Sequence, residues 1–123
     1  MSIQRVVLSG STNGKPITVA ALSASCHVVI HTAGAVTGAD NVDEIWAWAI
    51  PLTTSTGLKQ LNLQHGSTST ADIIQMQLAF DPANPAPKLV LPGINLNNSL
   101  VLSAWASSCG AFALAGHAFQ VRA

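Results

Sequence analysis

Short apolar runs recur along the whole chain, separated by clusters of Gly, Pro, Asn, Ser and Thr. Runs of this kind, with side chains alternating between two faces, have the period of a β-strand rather than of a helix. No stretch of about ten to twelve residues sustains a helical period with caps. The pattern predicts strands at QRVVLS, PITVAA, CHVVIHTA, DEIWAWAI, LKQLNLQ, IIQMQLAF, KLVL, LVLSAWAS and FALAGHAFQV. Eight to nine short strands in a chain of 123 residues predict an all-β fold, a β-sandwich of jelly-roll-like form. The length fits a single domain spanning residues 1–123.

The separators carry turn chemistry of their own. Asn13-Gly14 is the pair that most readily takes positive φ in a hairpin turn. Pro92-Gly93 suits a type II turn, and Asn97-Asn98-Ser99 suits a tight reversal. Ser69, Thr70 or Asp72 could cap a short helix ahead of IIQMQLAF, but the alternation there has period two and predicts a strand. The segment DPANPAPK, residues 81–88, holds three of the six prolines and reads as an exposed extended loop.

In DEIWAWAI, residues 43–50, a strand would place Glu44, Trp46, Trp48 and Ile50 on one face and Ile45, Ala47 and Ala49 on the other. An indole removes on the order of 150–250 Å² from water when buried. The expectation is therefore that Trp46 and Trp48 form a core-facing column. Ala47 and Ala49 would then leave a thin opposite face that another layer or protomer could approach.

Charge narrows the function classes. Charged residues are 8% of the chain, and five Lys/Arg balance five Asp/Glu. They are scattered, so no basic stripe exists to neutralise phosphates, and nucleic acid is not an expected partner. So little charge gives copies of the chain little mutual repulsion, which favours life in an assembly. The N-terminus lacks the charged region and apolar core of a signal peptide, and no run reaches the ~18 apolar residues of a membrane helix. Synthesis in a cytoplasm, with no membrane partner, is the expectation. Cys26 and Cys109 are far apart and form no CxxC, which predicts two buried thiols rather than a zinc or redox motif.

No catalytic constellation emerges, and no catalytic, cofactor or metal site is expected. His27 and His31 share a strand face but lie about 13 Å apart along it, too far to chelate one ion together. A histidine ring about a symmetry axis is a minor alternative that would make assembly sensitive to pH. Asp43 and Glu44 point to opposite faces and do not converge as a glycosidase pair. There is no GxSxG elbow, and Gly34-Ala-Val-Thr-Gly38 lacks the Lys-Ser/Thr of a phosphate loop. Trp105 shares its face with Val101, Ser103 and Ser107, a half-polar face suited to a subunit interface or to stacking on a sugar.

Three segments together carry a likeness to a family: IHTA (30–33), DEIWAWA (43–49) and LVLPGINLNNSLVLSAWA (89–106). In this layout the chain resembles the small all-β virion proteins encoded among the structural genes of tailed bacteriophages. The resemblance spans about half the chain, and its motifs are folding signatures rather than chemical ones. It implies a non-enzymatic head decoration, or cement, protein: a homotrimer seated on the capsid surface against the major capsid protein. A tail, baseplate or fibre component with a carbohydrate- or host-binding role is the alternative. Pro51 after the Trp strand, Ser103 where a basic residue is common, and the DPANPAP insertion depart from the pattern and bear on the partner surface. Trp105, Ser103, His27, His31, Ala47 and Ala49 are the candidate oligomer or capsid interface residues.

Overall fold

A computed structural model describes residues 1–20, 27–51, 57–66, 72–80, 86–107 and 112–123. The strands are β1 (Ser2–Val7), β2 (Ile17–Thr18), β3 (Val28–Thr32), β4 (Val42–Pro51), β5 (Gly57–His65), β6 (Ile73–Phe80), β7 (Lys88–Leu96), β8 (Val101–Ala106) and β9 (Phe112–Arg122). All nine expected runs form strands, including the ambiguous segment from Ile73 to Phe80. Two antiparallel sheets pack face to face: sheet A in the order β1-β9-β4-β7, and sheet B in the order β3-β8-β5-β6.

β1 and β2 both pair with β9, on the side away from β4, so they act as two halves of one interrupted edge strand. Counting them once gives eight positions, with each sheet drawing strands from both halves of the chain, which is the jelly-roll winding. The first and last strands lie side by side, since Ser2 pairs with Arg122 and Val7 with His117. The core between the sheets is aliphatic, with Ile30, Ile45, Leu61, Leu63, Leu102 and Leu114 fully buried.

The expected turns are kept in part: Asn13-Gly14 turns the chain but closes no hairpin, because β1 and β2 both pair with β9 and not with each other. Asn13 and Gly14 both have positive φ, as do Asn98 and Ser99 in the reversal before β8. Pro92-Gly93 differs: it is not a turn but lies inside β7, where the register with β4 shifts between Ile45 and Trp46. Gly93 has φ 86° there. Proline survives in a strand because β7 is the edge of sheet A, where a missing N–H costs no ladder bond.

The faces of β4 are the reverse of the expectation. Ile45, Ala47 and Ala49 are fully buried, whereas Trp46, Trp48 and Ile50 are half-buried on the outer face. The reason is space. β4 and β9 run down the middle of sheet A, and their inward pairs are Ile45 with Ala118, Ala47 with Gly116 and Ala49 with Leu114. The leucines of β5 and β8 already fill the gap from the other side, so two indoles would overpack it.

Candidate functional site

A bulge in β3 builds the most polar part of the interior. The register with β8 shifts between Val29 and His31, so Ile30 and His31 are both buried although they are neighbours. This breaks the alternation that would have put His27 and His31 on one face: His27 is exposed and His31 is inside. The His31 ring spans to Asp43 of β4, with Nε2 2.9 Å from Oδ2. Its Nδ1 accepts the backbone N–H of Ser9 at 3.0 Å, so the proton sits on Nε2 and is donated to Asp43.

Asp43 is saturated with donors. Besides His31, the Gly34 N–H reaches Oδ2 at 3.2 Å and Arg122 Nη2 reaches Oδ1 at 2.9 Å. Burial pushes the carboxyl pKa up, but the hydrogen bonds from His31, Arg122 and Gly34 outweigh it and hold the group below its ordinary 3.8. Arg122 also donates from Nη1 to the carbonyls of Val42 and Val121. The cluster thus ties β3 of sheet B to β4 and β9 of sheet A. It is not a nucleophile relay: the Ser9 hydroxyl accepts the Thr32 N–H at 2.7 Å, and the ring meets the Ser9 backbone instead.

The two outward faces have opposite character. On sheet B, β5 and β6 pair Asn62 with Gln75 and Gln60 with Gln77, and β8 adds Ser103 opposite Gln64. A cleft of about 340 Å³ opens there, lined by His27, Val29, Gln64, Leu100 and Ser103 among others. Trp105 and Ser103 are covered by the chain itself, Trp105 being 9% exposed, so neither offers a broad surface. Among the described residues, the buried Asn62 Oδ1 meets no hydrogen-bond partner.

Sheet A turns aromatic and aliphatic groups outward. The strands β1, β9 and β4 align three rows: Ile3, Val121 and Val42; then Arg5, Phe119 and Glu44; then Val7, His117 and Trp46. Ile3 is 60% and Val7 53% exposed. A depression of about 240 Å³ lies among Ile3, Glu44, Phe119 and Val121. Glu44 accepts the Trp46 indole N–H at 2.7 Å, which fixes the carboxylate on this face. His117 packs edge-on against Phe119, with ring centres 5.0 Å apart, and lies 5.9 Å from Trp48. Burial, and then the Arg5 charge, depress its pKa below 6.5.

Of the six candidate interface residues, His27 alone is exposed. Trp105, Ser103, His31, Ala47 and Ala49 are buried within the chain. On β4 the side chains of Trp46 and Trp48 face outward. Period-two alternation separates those two residues from Ala47 and Ala49, but it does not say which set faces in. Among the described residues no three His, Cys, Asp or Glu side chains gather as metal ligands. Cys26 and Cys109 lie outside the described residues, as do residues 81–85 of the proline segment. No described helix is long and apolar enough to cross a membrane. Compared with known proteins, the chain matches no family model, no curated protein and no solved structure.

Proposed function

We propose that this chain is a non-enzymatic virion structural protein, which decorates and reinforces a bacteriophage capsid as an oligomer. The observation that carries the reading is the outward face of sheet A, where Trp46, Trp48, Phe119, Ile3 and Val7 present apolar area to solvent. Such a face on a chain with so little charge suits burial against further protein. The likeness of the Trp strand and the Asn-rich reversal to phage virion proteins supplies the rest: a trimer, with the major capsid protein as partner. Binding to an assembled shell but not to its parts stabilises the shell by mass action.

A tail, baseplate or fibre role with a carbohydrate ligand is the second reading, favoured by the cleft on sheet B with its amide and hydroxyl groups. Electron microscopy of virions made with and without the gene separates the two. Density on the outside of the head that vanishes with the gene is the expected result. Density confined to the tail supports the second reading, and unchanged particles overturn both.

A further inference from the structure

The geometry points to a second copy of this chain as the occupant of the outer face of sheet A, docked about a twofold axis that runs along β9 through Phe119. This inference goes beyond the trimer proposed above and rests neither on it nor on a capsid.

The argument rests on the middle of the three rows. Arg5 on β1 and Glu44 on β4 flank Phe119, one strand to either side and so about 4.8 Å from it. A twofold axis lying between two such faces and parallel to β9 exchanges left for right while keeping each residue in its row. Arg5 of one copy then meets Glu44 of the other, twice, with Phe119 on Phe119 between them. The outer rows agree: Val7 meets Trp46, and Ile3 meets Val42. A twofold axis across the strands would instead set Arg5 against Arg5 and Glu44 against Glu44. The charge pattern therefore selects one axis, and isologous contacts of this kind are self-complementary by construction.

Aligned sheets cross at about 30°, and both charges lie one strand from the axis, so the twist displaces them little. The depression among Ile3, Glu44, Phe119 and Val121 leaves room for the partner's side chains beside the pair. Sheet B offers no comparable rows, since its outward Asn62, Gln64, Ser103 and Trp105 are buried within the chain. The contact closes after two copies. A trimer would have to use another surface.

Sedimentation of the full-length chain tests the contact through charge reversal. Arg5→Glu alone and Glu44→Arg alone each leave like charges facing across the axis, and each is expected to weaken self-association by about tenfold or more. Mixing the two folded variants restores opposite charges at both sites, so a heterodimer should form with an affinity within about threefold of wild type. The double variant should recover in the same way. Arg5 is exposed on an edge strand, so its reversal leaves the fold intact, and circular dichroism verifies this for both variants. A wild-type chain that stays monomeric, or that forms only trimers, overturns the inference. So do folded single variants that associate like wild type, or that fail to pair when mixed.

Discussion

Asp43 keeps its charge in a place where burial alone would neutralise it, because three donors from three parts of the chain converge on it. Removing that charge leaves the Arg122 guanidinium and the His31 N–H facing a weaker acceptor. Asp43→Asn should therefore destabilise the fold by about 3 kcal/mol, the scale of a broken buried pair. Arg122→Ala, whose side chain keeps a quarter of its surface in water, should cost only about 1 kcal/mol. Urea unfolding of the three chains at neutral pH measures both. The folded pKa of Asp43 lies below 3.8, so near that pH the unfolded chain binds the proton more readily. The stabilisation is complete above about 3.8 and is lost as pH falls through the folded value. Asp43→Asn should lack that acid limb. None of this clamp was legible in the sequence, where His31 and Asp43 are separate one-strand residues. A bulge adds one residue to a strand, turns His31 inward, and leaves no sequence signal of its own.

At the scale of the strand, β4 shows what alternation does and does not determine. The sorting of Glu44, Trp46 and Trp48 away from Ile45, Ala47 and Ala49 was legible from period two. The side that faces the core was not, because it depends on the space left by strands distant in sequence. Gly116 on β9 sets how closely β4 and β9 approach within the sheet: a Cβ there would run into the carbonyl oxygen of Trp46 and lie 2.9 Å from the Cα of Ala47. Both obstacles are backbone, so neither can swing away. Gly116→Ala should force β4 and β9 apart in the middle of sheet A and destabilise by about 2 kcal/mol or more. Thermal unfolding measures that loss. An unchanged midpoint would mean that the central pair has slack. Pro92-Gly93 misled for a related reason: its chemistry permits either a turn or an edge-strand bulge, and only the neighbour decides.

For the whole molecule, the nine strands were readable because each is a local property. The winding that brings β1 beside β9 was readable only as a class, since eight short strands admit few sandwich topologies. That winding has a consequence beyond shape, because it lays Arg5 of the first strand beside the aromatic row of the last. His117 lies in that row, its pKa depressed by burial and by Arg5. Arg5 and Glu44 are the charged side chains that β1 and β4 place around it. A depressed histidine opposes protonation of the folded state, so this contribution to stability is complete above about 6.5 and falls as pH drops below that toward the folded value. In the twofold pair two such rings face each other across the axis, and protonating both sets two cations directly against each other, with the Arg5 and Glu44 pairs of the next row offsetting one another. Self-association should therefore weaken as pH falls below about 6.5 and through the depressed folded pKa of His117. His117→Phe keeps the edge-on aromatic contact with Phe119 and removes the titrating group, so sedimentation of that variant should show the same association across that pH range. A wild-type chain whose association stays flat while an NMR titration shows His117 taking up its proton would place His117 away from the axis and move the contact to another row.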